Sequence, residues 1–227
     1  MGKIILGIET ATKICSVAIT DGEKLLALKE EGGEYSHAEK LNGFIDECLK
    51  QANVTLQQID AVAVSKGPGS YTGLRIGVST AKGLCYALKK PLISVDTLQA
   101  MALSMSLDND FDLYVPMIDA RRMEVYTAVF NVDNNKEEDI SAKIIDENSF
   151  AALKENNRLV LFGDGAEKCK ETLIHSNIFY STKGLPSAAY INKIAQQKLV
   201  QNEIEDVAYF EPYYLKDFVA TTAKKLL

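Results

Sequence analysis

Residues 65–84 read SKGPGSYTGLRIGVSTAKGL, a glycine loop set between two elements of different periodicity. Before it, AVAVS (61–65) is a continuous apolar run, the pattern of a strand covered on both faces. After it, Leu74, Val78, Leu84, Cys85 and Leu88 recur at helical spacing, which predicts a helix over about 74–88. Gly67 and Gly69 permit tight backbone turns and Pro68 stiffens the loop between them. Ser70 or Thr72 stands where a side chain can cap the helix, whose free amides could hold an anion. The stretch is not a Walker loop: Lys66 precedes the glycines and no Gly-Lys-Ser/Thr closes them. A strand, a glycine loop and a helix in this order place the chain among α/β proteins.

The same alternation continues on both sides. Upstream, KIILGIE (3–9) and ICSVAI (14–19) are strands, and Asp21-Gly22 is a hairpin turn into a third, KLLALKE (24–30). A helix over 38–52 follows, carrying Leu41, Phe44, Ile45, Cys48 and Leu49 on one face. Ser36 and Glu39 have the spacing of a capping box at its start. Downstream, LISV (92–95) is a strand, and Asp96 or Thr97 caps a helix to about Ser106.

The second half repeats the beginning. Strands are expected at 112–119, 123–132 and 139–145, then a helix at 147–155 and a strand at 158–163. GDGAEKCKETL leads into a short helix, and 187–200 forms a longer one. An acid ends the first strand of each half, Glu9 and Asp119, with a polar turn after it. These features describe a duplicated βββαβα chain with two subdomains, 1–107 and 108–227. The tail after Pro212 is irregular and returns its aromatics to the body, and its last residues are expected to be mobile.

Composition narrows the function. At 227 residues, 47% hydrophobic and 25% charged, the chain can bury a core. No apolar run approaches the roughly 18 residues of a membrane helix. MGKIILGIET reads as a strand rather than a signal peptide. The four cysteines are scattered without a CxxC pair, so free buried thiols and a cytoplasmic location are expected. A net charge of −6 opposes phosphate backbones, which makes a lone RNA-binding role unfavourable.

Duplicated βββα units with an acid at the first strand end match the ribonuclease-H-like, actin-like (ASKHA) architecture. Its ATP-binding members place an acid and a glycine in each of two hairpin loops, because only glycine lets backbone amides approach phosphate oxygens closely. Here the loops are Glu9-Thr10-Ala11-Thr12 and Asp119-Ala120-Arg121-Arg122, acids kept and glycines absent. His37 and His175 lie in different halves with no second ligand at helical spacing, so an ordinary zinc or iron site is not expected. No nucleophile–base–acid set is apparent. Independent ATPase or small-molecule kinase activity would have to rest on Glu9, Asp119 and Gly163-Asp164-Gly165.

GPGSYTGLRIGVSTAKGL, the opening GIET, the SHAEKL helix start, SVDTL and IDARRMEVY together resemble the TsaB (YeaZ) family. The resemblance runs from residue 3 to about 131 and more weakly through GDGA to PYYLK (212–216). It implies a non-catalytic subunit that pairs with the catalytic paralogue TsaD and meets the ATPase TsaE in a larger complex. That complex transfers threonylcarbamoyl to the tRNA adenosine beside the anticodon. The paralogue's metal-binding HxxxH aligns with Thr97 and Met101, neither of which can replace an imidazole. No tightly bound cofactor is implied, although a nucleotide at the shared interface is compatible, with Glu9, Thr10, Thr12, Ser70, Thr72 and Asp119 as vestigial loop positions. The partner surface is expected on the helices 38–52 and 74–88, through Leu41, Phe44, Ile45, Leu49, Gly77, Val78, Ala81 and Leu84. The same surface would pair two copies when the chain is alone, and tRNA would be met mainly through the complex.

Overall fold

The structure, a computed structural model, describes residues 2–33, 37–107 and 110–216. The expected Ser36 cap and the last residues of the tail lie outside them. The first half forms β1 (Ile4–Glu9), β2 (Ile14–Asp21), β3 (Lys24–Gly32), α1 (His37–Ala52), β4 (Ala61–Gly67), α2 (Tyr71–Leu88), β5 (Leu92–Asp96) and α3 (Thr97–Ser106). The second forms β6 (Leu113–Asp119), β7 (Glu124–Asn131), β8 (Lys136–Ile144), α4 (Ala151–Lys154), β9 (Leu159–Phe162), β10 (Ile178–Ser181) and α5 (Ala188–Val200). The sheets have orders β3-β2-β1-β4-β5 and β8-β7-β6-β9-β10. In each, the first three strands are antiparallel and the last two run parallel to the first. The duplication legible in the sequence is therefore a duplication of topology.

The alternation of β1 explains what covers each face. Leu6 and Ile8 join Val17, Ile19, Val62 and Val64 under α1 and α2. Ile5 points the other way, with Ala61, Ala63, Ile93 and Val95, against Ile191, Ile194 and Ala195 of α5. A strand covered twice has no polar alternation to show, which is why it reads as a plain apolar run. Helix α5 thus packs on the first sheet, although the expected second unit, 108–227, contains it. Helix α3 bridges the halves: Leu98, Met101 and Met105 face Tyr114, Phe130 and Phe162 of the second sheet.

Gly7 marks the closest approach of α5. The buried Asn192 amide donates to Ile5 O (3.1 Å) and Ala18 O (3.3 Å). A Cβ on Gly7 would overlap Asn192 Oδ1 and come to 2.9 Å from Ala188 O. Gly7→Ala is therefore expected to lower stability by about 1–3 kcal/mol, as overpacking of a filled core does. Urea unfolding with an unchanged slope and an unchanged midpoint would contradict this.

Several boundaries differ from expectation. Helix α2 starts at Tyr71, three residues early, because Ser70 caps it by accepting from Gly73 N (3.3 Å). The helix expected at 147–155 shrinks to α4, and the one after GDGA to a 3₁₀ turn at Glu167–Cys169. Strand β10 was not expected; four residues at a sheet edge carry too little alternation to show. The tail does return: Tyr213 N donates to Lys66 O (2.7 Å), and the Tyr214 ring lies 4.8 Å from that of Tyr71.

Candidate functional site

The glycine loop and the β1–β2 hairpin loop meet face to face. Ser70 N donates to Ala11 O (2.6 Å), and Thr10 Oγ1 donates to Gly73 O (2.8 Å). A Cβ on Gly69 or Gly73 would overlap the hairpin carbonyls of Ala11 or Thr10, and one on Gly77 would overlap Thr10 Oγ1. The glycines thus admit the hairpin's own backbone, and a phosphate laid against them would have to displace it. Thr10 is wholly buried and Thr12 nearly so, whereas Thr72 is exposed on the first turn of α2.

Glu9 is turned inward. It is 0% exposed, and its Oε1 accepts from Ala11 N (2.5 Å), so that amide is not offered to a ligand. Burial pushes its carboxyl up to about 7, opposed by the Ala11 amide and the Ser65 hydroxyl and reinforced by Glu30. Neither Glu9 Oε2 nor Ser65 Oγ completes a hydrogen bond among the described residues. A carboxylate enclosed in this way has no free face for a hydrated cation.

The second loop lies at the surface and is tied by contacts of its own. Asp119 pairs with Lys168, Asp119 N donates to Asp164 Oδ1 (3.0 Å), and Arg121 N donates to Asp119 Oδ1 (3.1 Å). Arg121 and Arg122 both hold left-handed backbone, φ 70° and 51°, where glycine would be unstrained. Burial raises the Asp164 carboxyl above its usual range. Thr97 and Met101 are fully buried, and Met101 lies in the core between α3 and the second sheet.

The helix pair requires a correction. Leu41, Phe44, Ile45, Leu49, Val78 and Ala81 are buried in the core beneath α1 and α2, with Leu84 packed against it. Gly77 is buried against Thr10. The apolar stripes of these helices serve the first sheet, so a partner cannot reach the buried side chains, and of the expected set only Leu84 is partly exposed. The outer faces carry Asn42, Gly43, Asp46, Lys50 on α1 and Thr72, Arg75, Ser79, Gly83, Tyr86 on α2. Gly43 and Gly83 sit inside helices, and a Cβ on either meets nothing within 4 Å. Glycine there costs about 1 kcal/mol each relative to alanine without serving this chain's own packing. Tyr86 is 83% exposed on the same helix. Small residues on α2, Gly83 among them, are legible in the sequence as permitting a close helix approach, but Gly43 carries no hydrophobic signal and periodicity does not say which face a glycine serves.

Two sheets of equal topology, a hairpin acid and a glycine loop define an actin-like protein of the ASKHA class, here with its first loop filled by its own chain. The family model for TsaD, tRNA N6-adenosine threonylcarbamoyltransferase, matches residues 31–224. The tRNA threonylcarbamoyladenosine biosynthesis protein TsaB of Haemophilus influenzae is 31% identical, over 98% of this chain and 96% of that protein. A tRNA N6-adenosine threonylcarbamoyltransferase of Clostridium perfringens is 28% identical over 92% of this chain and 66% of its own length. The solved structure of YeaZ from Pseudomonas aeruginosa superposes with a TM-score of 0.82 at 24% identity, covering 94% of this chain and all of that one. The chain belongs to the TsaB (YeaZ) family.

Proposed function

We propose that this protein is the non-catalytic partner of a TsaD-type threonylcarbamoyltransferase in modifying the tRNA adenosine next to the anticodon. The observation that carries the reading is the outer face of α1 and α2, where Gly43 and Gly83 are exposed, contribute nothing to this chain's own packing and leave room for a second body to approach closely. Helices approach most closely where side chains are small. The corrected docking surface is this outer face, centred on Gly43 and Gly83 with Tyr86 at its edge. The wholly buried Glu9, bonded to Ala11 N, argues against an independent actin-like ATPase, which needs its loop acid at a hydrated metal. On this reading TsaE and tRNA are met through the complex in the cytoplasm, a lone chain self-pairs by the same face, and any nucleotide sits at the shared interface.

Reconstitution tests it. The TsaD paralogue of the same organism, given tRNA and the threonylcarbamoyl adenylate, should transfer near background alone and efficiently once this chain is added. Equal transfer without the chain would overturn the reading. Calorimetry of the isolated chain with ATP and Mg²⁺ should show no turnover, and turnover would restore the ATPase alternative.

A further inference from the structure

The two helices of the outer face touch each other sparsely, yet one short hairpin loop reaches both, Thr10 and Ala11 holding α2 and Thr12 holding α1. Thr10 Oγ1 donates to Gly73 O (2.8 Å) and fills the notch left by Gly77, both on α2. Ala11 O accepts from Ser70 N (2.6 Å), the residue that caps α2. Thr12 O lies 2.8 Å from Nε2 of His37, the first residue of α1. A carbonyl only accepts, so Nε2 carries the proton in this bond. His37 is buried, and its Nδ1 has no partner among the described residues, so the Thr12 carbonyl is what orients the ring. The hairpin is itself anchored by Glu9 Oε1, which accepts from Ala11 N.

We propose that the hairpin loop Thr10–Thr12 is a clamp that sets the mutual position of α1 and α2, with Thr10 and His37 as positioning residues for the partner surface. The inference rests on the docking reading and adds what governs that surface. In ATP-binding relatives of this architecture the corresponding hairpin faces a phosphate; here the same backbone faces two helix N-termini. A helix pair held at its ends by a common loop presents one spacing to a partner. Loss of a tie lets the pair sample others, and affinity falls with the fraction in the competent spacing.

Thr10→Val keeps the shape that fills the Gly77 notch and removes only the hydroxyl donor. It is expected to weaken binding to the TsaD paralogue of the same organism about fivefold, the scale of one neutral hydrogen bond. Thr10→Ser restores the donor and should recover most of that loss, and His37→Ala should weaken binding in the same direction. Val115→Ala, in the core of the second sheet, serves as a control that lowers stability without lowering affinity. Hydrogen exchange of the chain alone provides the second readout: amides in the first turns of α1 and α2 should exchange faster in Thr10→Val and return in Thr10→Ser. If the wild type binds and Thr10→Val binds equally well, the clamp is overturned. If the wild type does not bind the paralogue, the docking reading fails instead, and the clamp then stands or falls on the exchange, with unchanged protection in Thr10→Val overturning it.

Discussion

Gly83→Arg is expected to lower affinity for the TsaD-type partner by more than about a hundredfold while leaving the unfolding midpoint unchanged or slightly raised. The two effects have separate causes. Within the chain, a Cβ at 83 meets nothing within 4 Å and the position is exposed, so a longer side chain can extend into solvent. Leaving glycine inside a helix gains about 0.5–1 kcal/mol from reduced backbone freedom. At an interface of closely packed helices, the same side chain would force the axes apart and leave a charge without water, each costing several kcal/mol. Gly43→Arg should behave alike on α1. Ile45→Glu makes the contrast: Ile45 is 5% exposed, within the core under α1. An unpaired carboxylate there should unfold the first half rather than report on a partner. Pull-down paired with thermal melting separates the cases, and undiminished capture of Gly83→Arg would remove this face from consideration.

The difference between Ile45 and Gly83 also shows where sequence reading ends. A 3.6-residue period states that a helix has one apolar side; it does not state whether that side meets the chain's own sheet or a partner. With a five-stranded sheet to cover, the stripe of α1 is taken up by β2 and β3, in the core that holds Val17, Ile19 and Ala27. The glycine loop was legible as a strand-to-helix turn because Gly67, Gly69 and Ser70 have a local meaning. That Gly69 and Gly73 admit the hairpin loop, some sixty residues earlier, was not, since a close approach leaves no mark beyond the glycine itself. The duplication was legible in its long strands and lost in β10 and the shrunken α4, where too few residues remain to display a period. Helix α5 reads as a helix from its sequence alone, but its place on the first sheet depends on Asn192 finding Gly7, a contact between the two ends of the chain.

Glu9→Gln is expected to stabilise the protein by about 3 kcal/mol at pH 8 and to leave it little changed near pH 4.5. The carboxyl of Glu9 is raised from 4.5 to about 7, with desolvation as the largest cause. Between these values the native chain keeps a proton that the unfolded chain has released. The native state therefore binds more protons than the unfolded state across this window, and stability must fall as pH rises through it. Above pH 7 both states are ionised, and the full cost of an enclosed carboxylate remains. Glutamine keeps the acceptor for Ala11 N, carries no charge, and brings an amide that can donate to the unpartnered Ser65 Oγ. Asp164, also raised by burial, contributes a slope of the same sign in both proteins, so it cancels in their difference. Urea midpoints measured from pH 4.5 to 8 should diverge as pH rises, with the wild type falling relative to the variant. Parallel curves would mean that Glu9 ionises in the folded chain as easily as in the unfolded one, and that the hairpin loop closes over it without the electrostatic cost its burial demands.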